Sequence, residues 1–496
     1  MGGSWLISQN LLNSLARSME LDRGGKEVSR TTGKARKAIP STCMQCSSGC
    51  GILAFANDGV AVKIEGNPDH PNNRGRLCAK GQAGINHLYS PDRLLFPIKR
   101  VGQRGEGKWK RISWEEATRE IVTRLNYLKQ EGRENEFFFH AAMRAKPNAN
   151  LDIVRRFLHA YGTSSVFIHT ALGGAIRELA LELTWGSDFH VDDVAYAKYI
   201  LNFGGNPYEA HSFHNPIIQR IVDARMDGAK LVTFDVRLSN TAGRSDEWYP
   251  INPGTDAIVA LAMANVILEE GLEDREFLLN WTNYPLELLK KHLSAYSLER
   301  AAKVSGIKAE HIKRLAIEFA TVKPATTITG RGLSMHINGL YNERCVALLN
   351  AIVGTIDRRG GYCLPRLFKF QQPQPVPAEP KALGGYNGNG IFETLSESRQ
   401  KVNFYMAYMT NPIFNHPESS RVAGLLQNQR IIPFFVAVET YLSETAALAD
   451  IVLPDTTYLE MWDLESKPSF SMIPFIGLRQ PVVKPLGESY PFAQFC

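Results

Sequence analysis

At 496 residues the chain is long enough for two or three domains with substantial cores. Its 56 basic and 50 acidic residues nearly balance at a net charge of +6, so nothing in the bulk charge argues for a nucleic-acid partner. No apolar run reaches the ~18 residues needed to span a bilayer, and the run Ala257–Ala264, which continues into Asn265 and Glu269, reads as a buried helix.

Residues 1–42 read as a flexible basic leader, since six Lys/Arg accompany one Glu between Arg23 and Lys37. Met1 to Arg17 holds Trp5-Leu6-Ile7 and Leu11-Leu12 but no long apolar stretch of the kind a secretion signal carries. Next come Cys43-x2-Cys46-x3-Cys50-x27-Cys78. Thiols at that density point to a metal centre, and two ligand sets are chemically possible: a four-thiolate zinc site or a cubane iron–sulfur cluster. Zinc sites usually come as two short Cys-x2-Cys pairs. Three ligands in one loop and a remote fourth better suit the corners of a cube. Cys345, Cys363 and Cys496 form no pattern and suggest no disulfide framework.

After Trp114 helical and strand-like stretches alternate, which predicts α/β domains with largely parallel sheets. Glu115–Gly132 reads as an amphipathic helix with Ile121, Leu125 and Leu128 on one stripe, and Glu136–His140 as a short strand. Ala197–Phe203 reads as a strand ending in Gly204-Gly205-Asn206-Pro207, with a helix from about Asn215 to Asp227 and a strand from Ala229 to Asp235. That is a βαβ unit, and nucleotides bind at the carboxyl ends of such strands. Gly-Gly-Asn-Pro alone is a weak signal and more often just a turn. Pro373–Pro380 reads as a surface loop.

The stretch from Cys43 to Trp114 resembles the N-terminal iron–sulfur domain of the molybdopterin oxidoreductases, the dimethyl sulfoxide reductase family. The resemblance is carried by the cysteine spacing, Glu65-Gly66-Asn67-Pro68, Gly75–Gly81 and Tyr89–Leu94. Within that family the Arg104–Trp109 run is most similar to the polysulfide, thiosulfate and tetrathionate reductase branch. The resemblance implies a multi-domain α/β fold. Its iron–sulfur domain would span 43–110, a discontinuous dinucleotide-binding domain 111–165 and 325–480, and a Rossmann-like domain 166–324. Residues 481–496 would link to a C-terminal β-barrel-like domain absent from this chain.

The resemblance also implies cofactors: one [4Fe–4S] cluster on Cys43, Cys46, Cys50 and Cys78, and a molybdenum or tungsten bis(molybdopterin guanine dinucleotide) centre. Lys80 would stand between the two. Gly205, Asn206 and Glu209 fall in the loop for one phosphate-bearing half of the dinucleotide, Asp235 and Arg237 in its strand-end Asp-x-Arg, and Gly254 and Asp256 in its guanine-recognition turn. A carboxylate there can accept both hydrogens of a guanine edge, and Asp256 could also cap the following helix. Gly330 and Gly332 lie in a metal-proximal segment, Asn411 in a second dinucleotide loop, and Thr445 in a late signature that begins at Glu439, where relatives commonly carry Asp.

Gly173 falls where relatives place a side-chain ligand to the metal, which leaves room for an oxyanion. Arg331 is then the residue to hold it, with His336 or His169 supplying a proton. The implied activity is oxidation or reduction of an inorganic sulfur compound or similar oxyanion. Electrons would pass through a ferredoxin-like iron–sulfur partner and a membrane-anchor subunit linked to quinone. The alternative is a subunit of the same fold that lacks the metal and only conducts electrons or scaffolds a respiratory complex. No arginine pair precedes Cys43, so the expected location is cytoplasmic if the chain is complete and periplasmic if a twin-arginine leader has been lost.

Overall fold

A computed structural model describes residues 37–142, 149–168, 174–211, 213–367, 390–396 and 401–496. Lys37–Thr42, Gly51–Asn57 and Val60–Gly66 form an antiparallel three-stranded sheet. Asp58 and Gly59 make the turn between the last two, both at positive φ (47° and 83°), as a tight hairpin requires.

Two parallel sheets follow. The first has four strands in the order Glu247–Pro250, Lys230–Asp235, Tyr199–Phe203 and Ala325–Thr329. Period-two alternation gives it two buried faces. Tyr199, Leu201 and Phe203 pack in one core with helices Asp256–Glu269 and Ala309–Thr321. Ile200, Leu231 and Ile328 pack on the other with Ile217 and Ile221 of helix His214–Met226. Helix Asp256–Glu269 is buried on nearly every side, which is why its sequence looks apolar all round.

The second sheet has seven strands: Trp109–Arg111, Ile98–Arg100, Ile451–Pro454, Phe434–Glu439, Phe404–Tyr408, Phe137–Ala141 and Val166–Ile168. The last five are parallel, and the first two form an antiparallel edge. Helix Trp114–Gln130 starts at a capping box between Ser113 and Glu116 and buries Ala117, Ile121, Leu125 and Leu128 against Phe137, Phe139 and Phe404. Each such fully buried large apolar side chain contributes about 1.5–3 kcal/mol. No described helix is long and apolar enough to cross a membrane.

Strand pairing draws the domain boundaries differently from the sequence. Ala325–Thr329 pairs with Tyr199–Phe203, and so belongs to the 166–324 unit rather than to the segment starting at 325. Val166–Ile168 pairs with Phe137–Ala141 across the other boundary. Residues 98–111 extend the seven-stranded sheet instead of closing the cysteine region. Residues 481–496 are packed against both cores. Val482 and Val483 join the core around Cys43 and Cys50, and Phe492 enters the core of the seven-stranded sheet. The Pro373–Pro380 loop lies outside the described residues.

Candidate cluster and dinucleotide sites

The four cysteines meet because a hairpin and one side chain bring the chain back on itself. The strand pair Gly51–Asn57 and Val60–Gly66 reverses direction, and the loop after Gly66 returns to the cysteine loop. Asn73 then fixes it: its Oδ1 accepts from Gly51 N at 2.8 Å, while its Nδ2 donates to Gly51 O at 3.1 Å and Arg76 O at 2.8 Å. Asn73 is fully buried. Cys78 follows two residues after Arg76. Cys43 N donates to Cys50 O at 2.8 Å, closing the loop between the first three cysteines.

Cys43 and Cys50 are buried, and Cys46 and Cys78 are partly exposed. Burial pushes the Cys43 thiol up to about 12 and the Cys50 thiol up to about 11, with the neighbouring cysteines adding to both shifts. Among the described residues no three His, Cys, Asp or Glu side chains converge on a single ion. Cys43 is electrostatically coupled to Cys46, Cys50 and Cys78, and a cubane cluster takes one thiolate at each of its corners.

A second constellation occupies the carboxyl end of the four-stranded sheet. Asn206 Nδ2 donates to Glu209 Oε2 at 2.7 Å, and Arg237 Nη2 donates to the same oxygen at 2.5 Å. The Asn240 N–H, Arg237 and Asn206 hold the Glu209 carboxyl down to about 2. Ser239 donates to Asp235 Oδ2 at 2.8 Å. Gly205, Gly330 and Gly332 have a packing reason as well: a Cβ on Gly330 would fall 2.7 Å from Gly205 Cα, and Gly332 N donates to Gly204 O at 3.2 Å. Two adjacent strand-end loops thus touch backbone to backbone.

Gly254 turns at φ +76°, and Asn338 Nδ2 donates to its carbonyl at 2.9 Å. Asp256 is 4% exposed, and burial, with Asp235 adding, pushes its carboxyl up to about 6. It is not the helix cap; Thr255 holds that position, and the Asn342 side chain accepts from Ala257 N at 3.2 Å. Asp256 is therefore a buried carboxyl near Asp235 at the carboxyl end of the four-stranded sheet.

The seven-stranded sheet carries a matching edge. Asn411 Oδ1 accepts from Thr445 N at 3.2 Å and from Thr445 Oγ1 at 2.8 Å, and its Nδ2 donates to Glu444 at 2.6 Å. Burial pushes the Glu439 carboxyl up to about 8 at the end of its strand. His87 ties this edge to the cysteines, with Nε2 3.0 Å from Thr440 Oγ1 and Nδ1 3.4 Å from Gln45 Nε2.

Lys80 is exposed on the short helix Ala79–Gln82. Arg331 is exposed at the start of helix Arg331–Ser334, which packs against helix Gly174–Trp185. The His336 ring stands beside Gly254, where a Cβ would lie 3.6 Å from its Nδ1. His169 and Gly173 lie outside the described residues.

A buried polar group behind strand Ala325–Thr329 carries no local motif that sequence reading could find. Arg177 Nε donates to Thr329 Oγ1 at 3.1 Å and lies 3.8 Å from Glu343 Oε2. Burial pushes Glu343 up to about 7, and His190, stacked on Tyr362 at 3.7 Å, is driven down to about 4.

Comparison with known proteins decides the family. Residues 93–491 match the model described as molybdopterin oxidoreductase, and residues 36–90 match that of its Fe4S4 domain. The chain belongs to the molybdopterin oxidoreductase family. This molybdopterin oxidoreductase is 30% identical over 480 residues to the thiosulfate reductase molybdopterin-containing subunit PhsA of Salmonella typhimurium, covering 91% of this chain and 62% of PhsA. It is 29% identical to the dimethyl sulfoxide reductase DmsA of Escherichia coli, covering 92% and 63%. The acetylene hydratase of Pelobacter acetylenicus superposes with a TM-score of 0.79 at 25% identity, covering 92% and 68%. The chain spans less than two thirds of the length of PhsA and DmsA. Its cofactors are a [4Fe–4S] cluster and a molybdenum or tungsten bis(molybdopterin guanine dinucleotide) centre. The residues fit both: four coupled thiols for the cluster, and two strand-end loop edges, one with a buried carboxyl, for two dinucleotides.

Proposed function

We propose that this chain is the catalytic subunit of an oxidoreductase acting on an inorganic sulfur compound or a similar small oxyanion. The observation that carries the reading is the presence, in one chain, of the coupled cysteines and of two strand-end edges, with His87 tying the edge of the seven-stranded sheet to the cysteine loop. The similarity to the thiosulfate reductase subunit supports the substrate class. When bound, the metal centre supplies two-electron chemistry, and the protein positions and wires it.

In this reading each loop does one task. Gly204–Glu209 and Asn411–Thr445 hold the phosphate-bearing halves through loop amides, and Asp256 accepts the guanine edge. Arg331 presents a guanidinium fork that engages two oxygens of the substrate at once. His336, beside Gly254, serves the base end rather than proton delivery. Lys80 lies between cluster and pterin. One cluster implies a neighbour that delivers electrons singly, so an iron–sulfur partner subunit and a membrane anchor complete the complex.

Substitution Arg331→Lys should raise the Michaelis constant for a thiosulfate- or polysulfide-like substrate about 10-fold or more, because a lysine cannot bind two oxygens in a fork. Metal content should stay the same. Unchanged kinetics would remove Arg331 from the substrate site, and loss of the dinucleotide together with the metal would reassign it to cofactor binding.

A further inference from the structure

The cysteine loop has a buried cationic neighbour far away in the sequence. Strands Asp463–Glu465 and Gly477–Arg479 form a hairpin that packs along strand Lys37–Thr42. Asp463, Glu465, Lys467 and Arg479 are all buried there, and Lys467 is 4% exposed. Arg479 is committed to both carboxylates, with Nη1 2.6 Å from Asp463 Oδ2 and Nη2 3.0 Å from Glu465 Oε2. The Lys467 Nζ lies 3.4 Å from the same Glu465 oxygen. Glu465 is thus paired with both Arg479 and Lys467.

Lys467 also touches the loop itself. Gly49, between Cys46 and Cys50, turns at φ +56°, and a Cβ there would fall 2.7 Å from Lys467 Cγ and 3.1 Å from Glu465 Oε1. Cys46 and Lys467 line a common cavity of about 30 Å³ with Met44, Met461, Asp463 and Glu465. The group is thus in van der Waals contact with the cluster-binding loop and shielded from water, where charges act on one another with little screening. Lys80, being exposed, is screened far more.

We propose that Lys467, balanced against Glu465, sets the reduction potential of the [4Fe–4S] cluster as a positioning residue. One-electron reduction adds a negative charge to the cluster and makes or breaks no bond. A buried ammonium beside the loop favours that added charge; the Glu465 carboxylate beside the same glycine opposes it. The two residues therefore move the potential in opposite directions, which a purely structural role would not do.

The test is a potentiometric titration of the anaerobically purified holoprotein, followed by electron paramagnetic resonance of the reduced cluster, with iron content measured alongside. Lys467→Met should lower the ratio of reduced to oxidised cluster at a fixed potential about 10-fold, a fall of about 59 mV for a one-electron couple. Glu465→Gln should move the midpoint upward, and Lys467→Arg should restore it close to the parent value. An unchanged midpoint in Lys467→Met at full iron content overturns the proposal. So does a downward shift in both variants, or iron loss in both, which would make the hairpin a structural prop for the loop.

Discussion

Replacing Cys50 with alanine is expected to abolish the broad visible absorption of the anaerobically purified protein and to reduce iron from about four per chain to near zero. Cys50 is 5% exposed and its thiol is pushed up to about 11, mainly by burial. Buried thiols of that kind are protonated without a metal, so cluster assembly must displace their protons, and its free energy is coupled to the fold of the loop. Alanine removes a corner that no neighbouring side chain can replace, because Ser48, 3.4 Å from the Cys50 sulfur, is a poor iron ligand. A colourless parent protein with one zinc per chain would overturn the cluster assignment.

The second large effect is expected at Asp256. Asp256→Asn should cut guanine recovered per chain to half or less of the parent value, because the amide offers one acceptor where the carboxylate offers two. The pH dependence has a definite sign. Burial raises the Asp256 carboxyl from the usual range to about 6, so in the free protein it is protonated below that pH. Guanine needs the carboxylate, so binding releases a proton below pH 6 and weakens about tenfold for each further unit of fall. The same shift favours the unliganded fold at low pH and is lost as pH rises through 6. Guanine retention that is flat from pH 5 to 8, with parent-like content in Asp256→Asn, would remove this residue from the base site.

Much of the site could be read from the chain because it is written locally. The cysteine spacing, Gly204-Gly205-Asn206-Pro207 before a helix, and Pro253-Gly254-Thr255-Asp256 each sit within one loop, and the structure joins Asn206 to Glu209 and Asn411 to Thr445. Sheet membership was less legible. Which strand lies beside Tyr199–Phe203 is settled by pairing with Ala325–Thr329, more than 120 residues away, and periodicity carries no trace of it. Capping at Asp256 was not legible either: Thr255 takes the cap position without a side-chain hydrogen bond, and Asn342 of another helix accepts from Ala257 N. Lys467, Arg177 and Glu343 were invisible because each looks like an ordinary charged residue until folding buries it beside a partner from another element.

Metal analysis tests the account most directly. Mass spectrometry of the anaerobically purified protein should find about four iron atoms and one molybdenum or tungsten per chain, with pterin released on denaturation. Iron alone, with neither the second metal nor pterin, would contradict a catalytic molybdopterin enzyme and leave an electron-transfer subunit on the same fold.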